Sequence, residues 1–171
     1  RALAERLVAR GVVVVSGLAE GIDTAAHTAA IQSGGRTVAV LGTSLDEFYP
    51  ASNRALQEQI MRDHLVVSQF ALGVPSRKGN FPMRNRTMAL ISDATIIVEA
   101  GEGSGSLHQG WEALRLGRPL FIMEPLFRDR TLKWPVEMAG YGAEPLSVQH
   151  LDTLFEHIPP RSRGATPELA F

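Results

Sequence analysis

Four cations and one aromatic fall within ten residues of this chain, Arg77-Lys78-Gly79-Asn80-Phe81-Pro82-Met83-Arg84-Asn85-Arg86. Guanidinium forks suit bidentate contact with phosphate, and an aromatic ring gives a base a face to stack on. No Asp or Glu stands between His64 and Ser92, so nothing nearby in sequence neutralises the run. Two Gly/Ser turns add a second kind of anion chemistry. Ser16-Gly17-Leu18-Ala19-Glu20-Gly21 follows the apolar run Val12-Val13-Val14-Val15, and Gly101-Glu102-Gly103-Ser104-Gly105-Ser106 follows Ile96-Ile97-Val98. Where a buried strand stops, small residues turn and a helix starts, backbone N–H groups converge on a point that suits phosphate. Taken together, Ser16, Gly17, Gly21, Arg77, Lys78, Asn80, Phe81, Arg84, Asn85, Arg86, Ser104, Gly105 and Ser106 form the candidate binding set for an anionic ligand.

Each feature has a plainer reading. The first turn needs its glycines as any tight strand-to-helix connection does, with Asp23 as a helix cap. The basic run could be a solvated loop. Against that, Arg84 and Arg86 flank Asn85 in the first turn of a helix expected to begin at Pro82, where cations oppose the helix dipole and so serve something other than the helix. Gly101-x-Gly103-x-Gly105 is close to a dinucleotide-binding fingerprint, but its third glycine should fall at Ser106, and no Gly-Lys-Ser/Thr triplet occurs. Glu102 inside the loop would repel a second anion.

Catalytic chemistry has little support. Cysteine is absent, no Gly-x-Ser-x-Gly elbow occurs, and the five histidines have no metal-ligand spacing. Asp23 and His27 lie four apart and can touch on one helix face, as a buried structural pair rather than a dyad. Trp111, at helical spacing from Leu107 and Leu114, reads as core. The residues therefore give no catalytic group, metal or cofactor.

The elements that position these groups follow from hydrophobic period. Helices are expected over residues 1–10, 22–33, 53–63, 82–92, 105–116, 134–139 and 151–157, and strands over 12–15, 37–41, 65–68, 95–99 and 119–123. Strands alternating with helices at this spacing make an α/β domain with a doubly wound, mostly parallel sheet, whose ligands bind at the strands' carboxyl ends. Residues 70–81 form the longest loop, and residues 159–171 read as a loose tail after a domain spanning 1–158. At 171 residues, 44% hydrophobic and 20% charged, with a net charge of -1, the chain is one domain's worth of soluble globular composition. No apolar run approaches a membrane span, and zero cysteines fit a cytoplasmic location.

Ser16-Gly17-Leu18-Ala19-Glu20-Gly21-Ile22-Asp23 with Ala26-His27, Val38-Ala39-Val40-Leu41-Gly42-Thr43, Tyr49-Pro50-x-x-Asn53, Gly79-Asn80-Phe81-Pro82-x-Arg84-Asn85-Arg86, Val98-Glu99-Ala100 and Ser104-Gly105-Ser106-Leu107 occur in unbroken order. In these motifs the chain resembles the DNA-processing protein A family (DprA, also called Smf) over about residues 4–123, and more loosely through Trp134-Pro135 and Tyr141-Gly142-Ala143. The resemblance implies an extended Rossmann-like fold that binds single-stranded DNA, dimerises, protects incoming strands in natural transformation and loads the RecA recombinase onto them. It places the family's phosphate pocket at Ser16, Gly17, Arg84, Asn85 and Arg86, closed by Ser104, Gly105 and Ser106.

Three departures accompany the likeness. His108-Gln109-Gly110 replaces the family's usual continuation with Thr and Ala, the strand carrying a Val-Gly-Ser-Arg pattern is expected before Arg1, and no winged-helix sequence follows. Two alternatives share the broad fold. One is an enzyme similar to the cytokinin-activating phosphoribohydrolases, although Gln109 stands where their catalytic Glu belongs. The other is a small-nucleotide sensor.

Overall fold

A computed structural model describes residues 1–158. The tail expected over residues 159–171 lies outside the described residues. The chain opens with α1 (Ala2–Ala9), then alternates β1 (Val14–Ser16), α2 (Ile22–Gln32), β2 (Thr37–Leu41), α3 (Arg54–Asp63) and β3 (Leu65–Ser68). After the long loop come α4 (Asn80–Ile91), β4 (Thr95–Ile97), α5 (Gly105–Arg115), β5 (Leu120–Met123), α6 (Glu124–Arg128), α7 (Trp134–Ala139), β6 (Glu144–Leu146) and α8 (Asp152–Glu156).

Every pairing among the described strands is parallel, as the alternation with helices requires. The strands form two three-stranded groups, β1-β2-β3 and β4-β5-β6. The α/β class expected from the sequence holds, with its sheet in two halves. β1 and β4 each have one paired edge and turn the other toward a shared cleft of about 710 Å³. Its walls include Leu3, Leu7, Val13, Val15, Ile96 and Val98, and it runs up to Ser16 and Ser106 at the strands' carboxyl ends. With one neighbour each, β1 and β4 are shorter than the apolar runs predict. β1 begins where Val14 meets Thr37, and β4 ends where Ile97 meets Ile122.

The halves are joined by packing. Ala4 of α1 belongs to a cluster with Val14, Ala29 and Ala30 in the first half. Leu7, one helical turn on, packs with Phe121, Leu146, Leu151 and Leu154 in the second. The Arg6 guanidinium also donates to the Val148 carbonyl at 2.6 Å. α5 covers its own sheet through Leu107, Trp111 and Leu114, against Ile97, Leu120 and Ile122 with Trp134 and Met138 of α7. Trp111 thus packs at the core margin, its ring edge-on to Tyr141 at 5.4 Å. The strand β6 and the helix α6 were not foreseen. Glu-Pro-Leu shows no strand period, and its proline is accepted because, among the described strands, β6 pairs on one side only.

Candidate functional site

The site begins at the end of β1. Ser16 is buried, and its Oγ donates to Asp23 Oδ1 at 2.5 Å, while Asp23 Oδ2 accepts the Ala19 N–H at 3.0 Å. Asp23 therefore closes the turn from the first turn of α2. Gly21, immediately before α2, has φ 85°, which favours glycine. Leu18 carries φ 61° although it is not glycine. Its side chain is fully buried with Leu41 and Ile60, and the Asn53 amide donates to its carbonyl at 2.9 Å. Core packing and one buried amide thus hold a backbone conformation that costs on the order of 1 kcal/mol.

Arg84 fills the space beneath this turn. Its Nη1 donates to the Gly17 carbonyl and to the Val40 carbonyl at 3.1 Å, and its Nε donates to Asn85 Oδ1 at 2.9 Å. Gly17 is what lets the guanidinium in, since a Cβ there would lie 2.0 Å from Nη1. Arg84 is only 7% exposed and has no carboxylate bonded to it among the described residues. Burial pushes its guanidinium below the usual arginine range, with Asp23 opposing the shift. A guanidinium has five N–H groups. Three are spent on protein acceptors here, and the two on Nη2 have none among the described residues.

Asn85 carries the connection onward. Its Nδ2 donates to the Gly105 carbonyl at 3.0 Å, in the first turn of α5. Ser104 caps that helix, its Oγ accepting the Ser106 N–H at 3.4 Å. One arginine and one asparagine, adjacent in sequence, thus bring the β1 turn, the β2 end, α4 and the start of α5 to one place.

The helix α4 starts at Asn80, two residues before the expected start at Pro82. Asn80 and Phe81 therefore lie inside it, and Arg84 and Asn85 are in its second turn, where the dipole argument made for the first turn loses its force. The remaining candidates are placed differently. Phe81 is half-buried against Gly42, where an added Cβ would sit 2.6 Å from the ring, and its centroid is 5.8 Å from the Arg84 guanidinium. Arg77 and Lys78 are exposed on the turn before α4, the Arg77 carbonyl accepting the Asn80 N–H at 2.9 Å. Arg86 points to α5, its Nε 3.7 Å from Glu112, which also binds Arg115 at 2.6 Å. Glu102 turns away to accept the Lys133 N–H at 3.0 Å.

Asp23 and His27 do not bond to one another. His27 Nδ1 meets Thr37 Oγ1 at 2.7 Å, and that hydroxyl donates to the Val14 carbonyl at 2.8 Å. The imidazole is thereby the donor in its contact with Thr37 and keeps its other nitrogen unprotonated. Burial lowers its pKa to about 4, against an opposing effect of Asp23. Asn53 is the positioning residue that residue chemistry did not single out. Its only signal was its place in the Tyr49-Pro50-x-x-Asn53 motif. Among the described residues, no group of three or more His, Cys, Asp or Glu could hold a metal ion, and no helix is long and apolar enough to cross a membrane.

With that geometry in place, comparison with known proteins is specific. The sequence pattern of the DNA recombination-mediator protein A family matches residues 1–158. DNA processing protein DprA of Streptococcus pneumoniae is 51% identical over 111 residues, 65% of this chain and 39% of that protein. DprA of Bacillus subtilis is 32% identical over 160 residues, 94% of this chain and 53% of that protein. The chain thus spans about half or less of the length of these relatives. The solved S. pneumoniae DprA superposes with TM-score 0.77 at 41% identity, over 89% of this chain and 56% of that one. DNA processing protein A of Helicobacter pylori, solved to explain its single-stranded DNA binding mode, gives TM-score 0.77 at 32% identity, over 90% and 71%. A molybdenum cofactor binding protein of Rippkaea orientalis, at 18% identity and TM-score 0.59, shares the fold alone.

Proposed function

The chain belongs to the DNA recombination-mediator protein A family, and from that premise we propose that it binds single-stranded DNA without catalysing a reaction on it. One phosphate of the strand sits between Arg84, the Ser16-Gly17 turn and the N-terminal end of α5, where Ser104, Gly105 and Ser106 lie. The observation that carries this reading is the buried Arg84, with two N–H groups unclaimed and no carboxylate bonded to it among the described residues. A buried cation is costly unless a counter-charge reaches it, and each Nη2 N–H can donate a charge-assisted bond to a phosphate oxygen. Phe81, beside Arg84, offers an apolar face, and Arg77 and Lys78 offer exposed charge to the neighbouring phosphates.

The same reading extends to the whole protein. A homodimer would cover incoming single strands and pass them to RecA during natural transformation, a role supported by family membership. Fluorescence anisotropy with labelled oligo-dT and a duplex of equal length, at two salt concentrations, tests the binding step. Salt-sensitive preference for the single strand is the expected result. Tight binding of a mononucleotide without DNA binding would replace this reading with a sensor, and hydrolysis of a nucleoside monophosphate would replace it with an enzyme.

A further inference from the structure

Tyr49 lies in the loop after β2, 55% exposed, with its ring centroid 5.4 Å from that of Phe81 and the two planes 50° apart. Phe81 in turn has its centroid 5.8 Å from the Arg84 guanidinium, so the open Tyr49 ring and the buried cation flank one and the same aromatic. Phe81 packs directly on Gly42, which holds its ring in place beside Tyr49. The loop that carries Tyr49 is fixed as well. The Glu47 carboxylate accepts the Ser76 N–H at 3.2 Å and its Oγ at 2.7 Å, and the Glu47 carbonyl accepts the Gln57 amide at 3.3 Å. On the other side Asn53 is buried and bonded to the Leu18 carbonyl and to Thr24. The Tyr49 loop is therefore tied to the segment that leads into Phe81, and to the turn that Arg84 supports. An aromatic held this way loses little freedom when a ligand covers it.

We propose that Tyr49 is the second ring of a two-aromatic base site, so that the strand is held by its phosphate at Arg84 and by a base stacked face-on to Tyr49 with the tilted Phe81 ring against its edge. This rests on the single-stranded DNA reading and adds to it a contact to base rather than to backbone. Stacking reads no hydrogen-bond pattern, so the contact discriminates unpaired from paired DNA without discriminating sequence. In a duplex the base faces are occupied by their neighbours.

The test compares oligo-dT with an abasic tetrahydrofuran phosphodiester oligomer of the same length, by anisotropy, using the chain and its Tyr49→Ala, Tyr49→Leu and Tyr49→Phe variants. The expected result is that Tyr49→Ala and Tyr49→Leu weaken oligo-dT binding roughly ten-fold, within what one base–aromatic contact contributes. Abasic binding stays unchanged, and Tyr49→Phe behaves as the parent. Tyr49→Leu preserves apolar bulk, so a loss there belongs to the ring's face. Equal losses on both oligomers would overturn the proposal, because Tyr49 would then act through the phosphate pocket or the fold. Unchanged oligo-dT binding in all variants, or a parent chain that binds abasic DNA as tightly as oligo-dT, would also overturn it while leaving the phosphate reading intact. A parent chain that binds neither oligomer would defeat the single-stranded DNA reading itself.

Discussion

Arg84 sets the chemistry of the site because its bonds divide by purpose. Three donors hold the β1 turn, the β2 end and Asn85 in place, and two have no acceptor among the described residues, which is why the proposed phosphate is assigned to them. Arg84→Ala should lower the slope of log affinity against log salt by about one, as for one lost phosphate contact. Arg86→Ala should lower it less, since Glu112 already engages that side chain. Titrations of oligo-dT at several salt concentrations check both, and equal slopes for the two variants would contradict the assignment. His27 acts on stability. Its pKa is about 4 when folded, against about 6.5 when unfolded, so the unfolded chain binds the proton first as pH falls. Stability is unaffected above about pH 6.5 and declines between there and pH 4, by roughly 3 kcal/mol in all. Urea denaturation at pH 7 and pH 4.5 should show this decline in the parent and a smaller one in His27→Gln.

At the scale of elements, the site depends on where helices start. With α4 beginning at Asn80, Phe81 faces Gly42 and Arg84 reaches beneath Gly17. Gly42→Val places a branched side chain where the Phe81 ring lies, so it should displace that ring and weaken oligo-dT binding. Unchanged affinity, measured by anisotropy, would separate Phe81 from the interface. Ser104 caps α5 at the point where the phosphate would sit. Ser104→Ala should destabilise the chain by about 1 kcal/mol, read as a lower urea midpoint at unchanged slope.

At the scale of the whole molecule, the described residues form two parallel half-sheets held together by α1, by α4 against α5, and by the Asn85–Gly105 bond, with a cleft between the edges of β1 and β4 that no described strand pairs. Alternation along a strand sends the Val15 and Ile96 N–H groups into that cleft, since Val14 and Thr95 donate to Arg36 and Pro119 on the paired side. Amide hydrogen exchange should therefore be faster at Val15 and Ile96 than at Ser16 and Ile97. Equal protection would mean that a further strand, from this chain or another, occupies the cleft.

Much of this was legible in the residues. The strand-helix alternation, the Gly/Ser turns and the charge run are local patterns, and local pattern follows backbone sterics and hydrophobic period. They were enough to bring Ser16, Gly17, Arg84, Asn85 and Ser104 to Ser106 into one argument. The sequence could not say that Arg84 turns inward while Arg86 turns out to Glu112, because residues two apart on a helix differ in face by its rotation against neighbours. Nor could it show that Asp23 serves Ser16 and His27 serves Thr37, or that Tyr49 stands beside Phe81. Those contacts join side chains on different elements and loops, and only the packing of helices and loops against the strands, which fixes the distances between them, decides them.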